Sequence, residues 1–262
     1  MPREAGKKME KKINKVIVSA GDAVTAKLVQ QEGFDGIWVS GFEASTRLGI
    51  ADNGSITMTE MLNITKTIID SVKIPVWVDV DTGYGNFQRT VKEFERIGAY
   101  CVCIEDNIPE IKQNSLWGGK LPLMKMTDFG DKISVKRNNI KIMARTEALI
   151  RGYSSDEAMK RLLYYKQRGA DYLLPHARKS KDLLRVHRGG NYAIVPTKFP
   201  LFTNEQLFTM GYSVVIWANQ TERVKIKSTR EALISLKKHN CACHIEENLS
   251  ATLEEMKGLV DE

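Results

Sequence analysis

Short apolar runs recur along the chain, and half of them follow a glycine that ends a helix-like stretch. The runs that follow such a glycine are at residues 33–39, 98–104, 169–174 and 211–217. A glycine just past a helix supplies the left-handed cap, and nearly continuous apolar residues are typical of strands buried on both faces. The other strand-like runs are at residues 16–18, 75–78, 141–144 and 192–195. The pattern therefore predicts eight buried strands.

Amphipathic helices are predicted between these strands. Thr57 and Glu60 have the spacing of a capping box that opens one helix, and Ser154 and Glu157 have the same spacing at the start of another. Eight strands that alternate with about eight helices are typical of a (β/α)8 TIM-type barrel, an α/β fold. A doubly wound open sheet is the alternative, but no Gly-x-Gly-x-x-Gly motif follows any predicted strand. We therefore expect the barrel.

Beyond the eighth predicted strand the chain contains more helix than a barrel needs. Helical patterns cover residues 222–237 and 250–260. We predict a basic extension at residues 1–14 and a single barrel domain at residues 15–262, with C-terminal helices from about residue 220. We expect the surplus helix to pack against a partner subunit.

Composition and charge exclude several classes of protein. No apolar run in the 262 residues approaches the roughly 18 residues that a membrane helix needs, and no apolar segment of a secretory signal follows the basic N-terminus. We therefore predict a cytoplasmic protein with no membrane partner. The net charge of +7 comes mainly from residues 1–15, without a stripe of arginine and aromatic residues. Hence we predict no nucleic-acid partner.

The four cysteines form two pairs of different character. Cys101 and Cys103 are one residue apart in an apolar run, so in a strand both point to one face and belong to the core. Cys241 and Cys243 lie in the segment 239–244, between two histidines, which is more similar to a metal site. However, Cys-x-Cys lacks the longer spacer of structural zinc sites and the chain has no second Cys-x-x-Cys motif, so we do not expect zinc there.

Nearly every predicted strand ends in a polar or charged residue, and TIM-barrel active sites lie at these ends. The residues are Ser40, Gly41, Asp79, Asp81, Glu105, Asp106, Arg145, Glu147, His176, Thr197 and Asn219. Asp79, Asp81 and Glu105 come from adjacent strands, and carboxylates without soft ligands suit Mg²⁺. The planar guanidinium of Arg145 suits a phosphate or a carboxylate. Each feature alone also has a structural explanation, such as a helix cap, but together they favour a metal-dependent enzyme for an anionic small molecule.

Six segments resemble the isocitrate lyase/phosphoenolpyruvate mutase superfamily, in the same order along the chain. They are Trp38-Val-Ser-Gly41, Asp79-Val-Asp-Thr-Gly-Tyr-Gly-Asn86, Ile104-Glu-Asp106, Ala144-Arg-Thr-Glu-Ala148, Val195-Pro-Thr197 and Ile216-Trp-Ala-Asn219. Within the superfamily the chain is most similar to the mutases and the related phosphonopyruvate hydrolases. The lyase branch has a catalytic cysteine in a Lys-Lys-Cys-Gly-His loop, and residues 107–118 contain no cysteine. Cleavage of a methylisocitrate-like substrate is therefore disfavoured.

The resemblance implies a Mg²⁺-dependent isomerase that interconverts phosphoenolpyruvate and phosphonopyruvate, the first step of phosphonate biosynthesis. Asp79 would bind Mg²⁺ directly, with support through water from three further residues, Asp52, Asp81 and Glu105. The residues expected at the pyruvyl end are Trp38, Ser40, Gly41 and Phe42. Those expected at the phosphoryl group, or in the loop that covers it, are Lys112, Asn114, Ser115, Arg145 and His176.

The loop after the fourth predicted strand departs from the mutase pattern. The mutase signature has a lysine where this chain has Asn107, and it has one residue fewer before Asn114. Asn114 favours a mutase, because the hydrolases typically have threonine there, whereas Gly41-Phe42-Glu43 is more similar to the hydrolases. We therefore predict a mutase, with phosphonopyruvate hydrolase, another superfamily lyase, or a barrel that only binds an oxoacid as alternatives.

The resemblance also implies an oligomer. Superfamily barrels exchange their eighth helix between neighbours and form tetramers, and the surplus helix after residue 220 is compatible with that exchange. We expect a helix-swapped homotetramer, a dimer of dimers, whose partner is a small phosphorylated or phosphonate oxoacid.

Overall fold

A computed structural model describes residues 14–117, 119–182 and 190–260. Within them lie eight parallel strands: β1 (Lys15–Ser19), β2 (Gly36–Val39), β3 (Val76–Asp79), β4 (Cys101–Glu105), β5 (Lys141–Thr146), β6 (Tyr172–Pro175), β7 (Ala193–Ile194) and β8 (Val214–Trp217). They form one sheet in the order β6-β5-β4-β3-β2-β1-β8-β7. A parallel bridge between Leu173 and Tyr192 joins the two outer edges of this sheet. The predicted (β/α)8 TIM-type barrel is therefore confirmed.

Helices follow the strands as the sequence pattern predicts. The described residues form α1 (Ala23–Gln31), α2 (Gly41–Leu48), α3 (Met58–Ser71), α4 (Phe87–Arg96), α5 (Met126–Ile133), α6 (Ser155–Gln167), α7 (Asn204–Thr209), α8 (Gln220–His239), α9 (Cys243–Asn248) and α10 (Leu253–Gly258). Thr57 accepts a hydrogen bond from the backbone N–H of Glu60, whose carboxylate accepts one from the N–H of Thr57, so the predicted capping box opens α3. In this part of the chain, no helix combines the length and the apolar character needed to cross a membrane.

The core has two layers, because alternate strand residues point into the barrel or out toward the helices. The inner cluster consists of Ile17, Trp38, Trp77, Cys101, Cys103, Met143, Leu174, Ala193, Val214, Ile216 and Ala218. Cys101 and Cys103 are both buried in it, which confirms their predicted place in the core. Since side chains fill the barrel, a ligand has to bind at its mouth and not inside it.

The C-terminal helices pack little against the barrel. No residue of α8 is buried, although the helix carries apolar side chains such as Val224, Leu233 and Ile234. The helix predicted at residues 222–237 lies within α8, and α10 lies within the one predicted at residues 250–260, whereas α9 was not predicted. Apart from Asn14, the predicted basic extension lies outside the described residues.

Glu43 is a buried carboxylic acid in the first turn of α2, and only 2% of its surface is exposed. Neither side-chain oxygen has a hydrogen bond of good geometry within the described residues, although the Ser19 hydroxyl and the Asn219 backbone lie close by. Burial disfavours the charged form and raises the pKa of Glu43 from 4.5 to about 7. The folded protein therefore holds this proton more tightly than the unfolded chain does.

Glu43→Gln is expected to change how stability depends on pH. The stabilisation linked to the raised pKa is fully present below pH 4.5 and is lost as the pH rises to about 7. Glutamine does not titrate, so the variant should keep this stability. Between pH 4.5 and pH 8, the free energy of unfolding of the unmodified chain should therefore fall by ~2 kcal/mol relative to that of the variant. Urea unfolding at both pH values measures this change. A constant difference would contradict the buried, raised-pKa carboxyl group.

Candidate active site

A cavity of about 60 Å³ lies at the C-terminal mouth of the barrel. Its walls are formed by Trp38, Ser40, Phe42, Asp52, Asp79, Asp81, Glu105, Lys112, Asn114, Ser115, Leu116, Arg145, His176, Ala177, Val195, Thr197, Lys198, Ala218 and Asn219. Every residue to which the sequence analysis gave a role in metal binding, substrate binding or catalysis is among them except Gly41. The backbone of Gly41 is nevertheless close, because a Cβ atom there would lie 3.3 Å from Oδ1 of Asp81. A cavity of this size suits a small molecule.

A turn of unusual backbone conformation brings Asp79 and Asp81 to the same mouth. Asp79 is the last residue of β3, and Asp81 follows with a φ of 50°, in the left-handed region. Tyr84, in the same turn, also has a positive φ of 49°. Such conformations cost of order 1–3 kcal/mol each and are concentrated at functional sites. The N–H of Asp81 donates to Oδ1 of Asp79 over 3.1 Å, and this bond stabilises the turn.

Arg145, in β5, is surrounded by three carboxylates. Its Nε lies 2.6 Å from Oε1 of Glu147, and its Nη2 lies 3.2 Å from Oε2 of Glu105. Nη1 lies 3.3 Å from Oδ2 of Asp79. Burial opposes the charge of a guanidinium, but the attraction of these carboxylates raises the pKa of Arg145 well above its ordinary value. Arg145 is therefore a permanent cation at the centre of the site.

The sequence placed Glu147 at a strand end without a role in binding or catalysis, and the structure shows that it orients three of the predicted site residues. Its Oε1 lies 2.7 Å from Nδ1 of His176 and its Oε2 accepts a hydrogen bond of 2.6 Å from the Ser115 hydroxyl, in addition to the contact with Arg145. Burial opposes ionisation, but Arg145 and His176 hold the pKa of Glu147 well below its usual range. Nδ1 of His176 thus lies within hydrogen-bond distance of both Oε1 of Glu147 and Nη2 of Arg145, at 2.7 Å and 2.9 Å. The two-residue spacing from Arg145, which places both on one face of an extended chain, was the available signal.

Residues 107–117, which we call the site loop, are closed over the mouth. Nζ of Lys112 lies 3.0 Å from Oδ1 of Asp81 and 3.4 Å from Oδ1 of Asp52. The side-chain amide of Asn114 donates to Oδ2 of Asp52. Burial opposes the charge of Lys112, but the attraction of nearby carboxylates raises its pKa. The loop therefore adds a second cation and an amide to the cavity.

The charges and donor atoms of the site fit a hard divalent cation. Burial, together with repulsion between neighbouring carboxylates, raises the pKa of both Asp79 and Asp81. Oδ2 of Asp81 is buried without a hydrogen-bond partner in the described part of the chain. No three His, Cys, Asp or Glu side chains within the described ranges already surround a metal position. Mg²⁺ does not require such a group, because it is often bound by one or two carboxylates and keeps several waters.

Other polar residues divide between the cavity and the scaffold. Lys198, which was not predicted, lines the cavity as a further cation directly after Thr197. Asp106 does not line it, because its carboxylate is buried against the Tyr165 hydroxyl and the Arg161 guanidinium, at 2.8 Å and 3.1 Å. Asp106 therefore anchors β4 to α6.

The Cys/His segment at residues 239–244 lies apart from the site, at the end of α8. The rings of His239 and His244 are 4.2 Å apart, and Cys241 and Cys243 are exposed free thiols. Among the described residues, this segment included, no three His, Cys, Asp or Glu side chains are grouped so that they could hold a metal ion.

Comparisons with known proteins agree with the resemblance seen in the sequence. A family model described as Phosphoenolpyruvate phosphomutase matches residues 7–237. The phosphoenolpyruvate phosphomutase of Streptomyces hygroscopicus is 32% identical over 261 residues, which cover 94% of this chain and 82% of that protein. The crystal structure of a phosphoenolpyruvate phosphomutase from Streptomyces platensis subsp. rosaceus superposes with a TM-score of 0.89 at 32% identity, over 94% of this chain and 90% of that one. A phosphonopyruvate hydrolase in complex with oxalate and Mg²⁺ superposes with a TM-score of 0.83 at 27% identity, over 94% and 89% of the two chains.

Arg145→Met and Lys112→Met are expected to differ in their effect on stability. The first leaves three buried carboxylates without their shared cation and should lower the free energy of unfolding by about 3 kcal/mol or more. The second removes the cation shared by only two carboxylates, Asp52 and Asp81, at the cavity wall, so it should cost less than the first. Urea unfolding of both variants tests the difference, and equal losses would show that Arg145 is not the main charge partner.

Proposed function

The chain belongs to the phosphoenolpyruvate phosphomutase family, and on this premise we propose that it interconverts phosphoenolpyruvate and phosphonopyruvate by moving the phosphoryl group between the enolate oxygen and C3. Mutases and hydrolases both occur among its relatives at about 30% identity, so the choice between them depends on the site. The observation that carries the proposal is Asn114, whose amide the closed loop holds at the wall of a cavity of about 60 Å³. The substrate of this protein would be a small phosphorylated or phosphonate oxoacid. The cytoplasmic location that we expect from the sequence stays a prediction.

The pyruvyl end of the substrate is assigned to the start of α2 and to the carboxylates opposite it. Ser40 lies at the cavity wall. The first N–H groups of α2, at Gly41 and Phe42, have no hydrogen-bond partner among the described residues and can bind a carboxylate. Asp79, with support from Asp52, Asp81 and Glu105, would hold Mg²⁺, which would supply the charge that stabilises a pyruvate enolate. Carboxylate oxygens are the kind of ligand that Mg²⁺ prefers.

The phosphoryl end is assigned to Arg145, His176 and Asn114. Glu147 contacts both Arg145 and His176, so these two side chains are oriented before the phosphoryl group arrives. Phosphoryl transfer through a loose, metaphosphate-like state needs positioning and electrostatic stabilisation more than a strong base. The closed loop excludes water, which would otherwise intercept the phosphoryl group.

Phosphonopyruvate hydrolase is the second candidate function. Gly41-Phe42-Glu43 is similar to the hydrolase sequence, and a solved hydrolase matches 94% of the chain. The two reactions differ in whether a water molecule reaches the phosphorus atom. The side-chain amide of Asn114, placed over the mouth, favours the reaction that excludes it.

Phosphorus NMR of the purified protein with phosphonopyruvate and Mg²⁺ tests the proposal. We expect phosphoenolpyruvate to accumulate. Formation of inorganic phosphate and pyruvate would instead show that the protein is a phosphonopyruvate hydrolase. An unchanged spectrum would contradict both functions.

Removal of the metal provides the matching control. EDTA should abolish the conversion and Mg²⁺ should restore it. Oxalate, an analogue of pyruvate enolate, should raise the melting temperature only in the presence of Mg²⁺. Stabilisation by oxalate without Mg²⁺ would contradict the assignment of the pyruvyl end.

We also propose that α8 packs against a neighbouring subunit in a homotetramer. The helix has 20 residues and buries none of them within its own chain. Its Val224, Leu233 and Ile234 are each about 60% exposed, at 62%, 61% and 60%. Apolar side chains at such exposure are typical of a surface that a partner covers.

The double substitution Leu233→Glu/Ile234→Glu is expected to break this assembly. Light scattering should give four times the 29.6 kDa chain mass for the unmodified protein and a smaller species for the variant. Lys237→Glu, an exposed change on the same helix, should leave the mass unaltered. A monomer in all three cases would contradict the proposed swap.

A further inference from the structure

Arg151 is a buried cation, and no anionic side chain among the described residues pairs with it. It lies in the turn after β5, and only 2% of its surface is exposed. Its hydrogen-bond partners in the described part of the chain are all neutral oxygens, from Asn107, Gln113 and Gly119. Burial of a charge is costly unless hydrogen bonds compensate for it. The position of these oxygens is therefore critical for the stability of this residue.

These oxygens belong to the site loop and its continuation. Nε and Nη2 of Arg151 lie 3.1 Å and 3.0 Å from Oδ1 of Asn107, at the start of the loop. Nη2 also lies 3.1 Å from the carbonyl oxygen of Gln113, and Nη1 lies 3.2 Å from that of Gly119. One guanidinium thus binds the loop at its start, beyond its middle and just after its end. If the loop opened, Arg151 would lose these bonds together.

Asn107 connects Arg151 to the charged centre of the site. Its Nδ2 donates to Oε1 of Glu105 over 2.7 Å, and the other oxygen of Glu105 lies 3.2 Å from Nη2 of Arg145. The mutase signature has a lysine where this chain has Asn107. A lysine at this position would bring a positive charge directly to Glu105. In this chain the Asn107 amide contacts Glu105, and the positive charge is that of Arg151, on the other side of the amide.

We propose that Arg151 is a positioning residue that supplies, from beneath the site loop, the positive charge that the mutase signature carries in the loop itself. It holds the loop closed and, through Asn107, holds Glu105 in the orientation seen at the cavity wall. This assignment rests on the proposed function only for its effect on turnover. Closure of the loop does not depend on which reaction the site performs.

Trypsin cleavage after Lys112 measures closure without a substrate. The Lys112 side chain is buried in the closed loop, so the bond after it is cut only when the loop opens. Arg151→Met keeps much of the side-chain volume without the donors, and we expect it to raise the cleavage rate about tenfold or more. Arg151→Lys, which keeps the charge without the fork, should lie between the two. Arg137→Met, at a partly exposed arginine bonded to Gly169 and Asp171, is the control and should leave the rate unchanged.

A second readout follows the loop itself. Trp117 packs edge-on against Phe42 with their ring centroids 5.5 Å apart, so its fluorescence should change when the loop opens. We expect Arg151→Met to give the open-state signal, and expect Mg²⁺ with oxalate to shift it back less completely than in the unmodified chain. Trp117→Phe identifies the part of the signal that belongs to this residue.

Moving the charge separates positioning from packing. Asn107→Lys alone places two cations together and should increase cleavage, whereas Asn107→Lys/Arg151→Ala returns the charge to the loop. We expect the double variant to be cut at least about fivefold more slowly than Arg151→Ala and to recover kcat more than KM. A double variant that is worse than both single variants, or an unchanged cleavage rate in Arg151→Met, would overturn the proposal. If phosphonopyruvate is not converted at all, the proposed function fails while the cleavage and fluorescence results still decide the role of Arg151.

Discussion

The burial of Arg145 among carboxylates is the interaction on which the rest of the site depends. A guanidinium and several carboxylates are each too costly to bury alone, and only their mutual contact makes the arrangement stable. Strand register creates that contact, because Glu105 of β4 pairs directly with Arg145 of β5. A shift by one residue would turn either side chain to the opposite face of the sheet. The barrel's hydrogen-bond ladder therefore determines the chemistry at its mouth.

The same charges explain why the site loop closes. Asp52 and Asp81 lie beyond the reach of Arg145 and receive Lys112 from the loop instead. One carboxylate oxygen of Asp81 still has no partner among the described residues. A divalent cation would neutralise this excess, and the anionic substrate would then bind to the cation and to Arg145. The cations of the loop and the strand ends would then lie on both sides of the bound anion.

The sequence predicted the regular parts of this molecule better than the irregular ones. Parallel strands in a barrel end at one mouth, so apolar periodicity was enough to bring Asp79, Glu105 and Arg145 together. The contacts of Lys112 depend on a loop that crosses to residues far away in the chain, and only the family resemblance indicated this residue. Arg151 gave no signal, because a single arginine in a turn has no pattern. Its partners are the Asn107 side chain and two backbone carbonyl oxygens, and only the folded path of the loop brings them together.

The segment from Arg145 to Arg151 links the chemistry of the site to the motion of its loop. Arg145 and Glu147 bind Ser115 of the loop through side chains, while Arg151 binds the loop from the other side through backbone and amide oxygens. Arg145 lies in β5 and Arg151 in the turn directly after it, so a substrate anion that binds Arg145 contacts the same segment that holds the loop. Because an open loop would cost Arg151 its partners while Arg145 would keep its three carboxylates, the closed state is favoured even before substrate binds, and it is Arg151 that favours it.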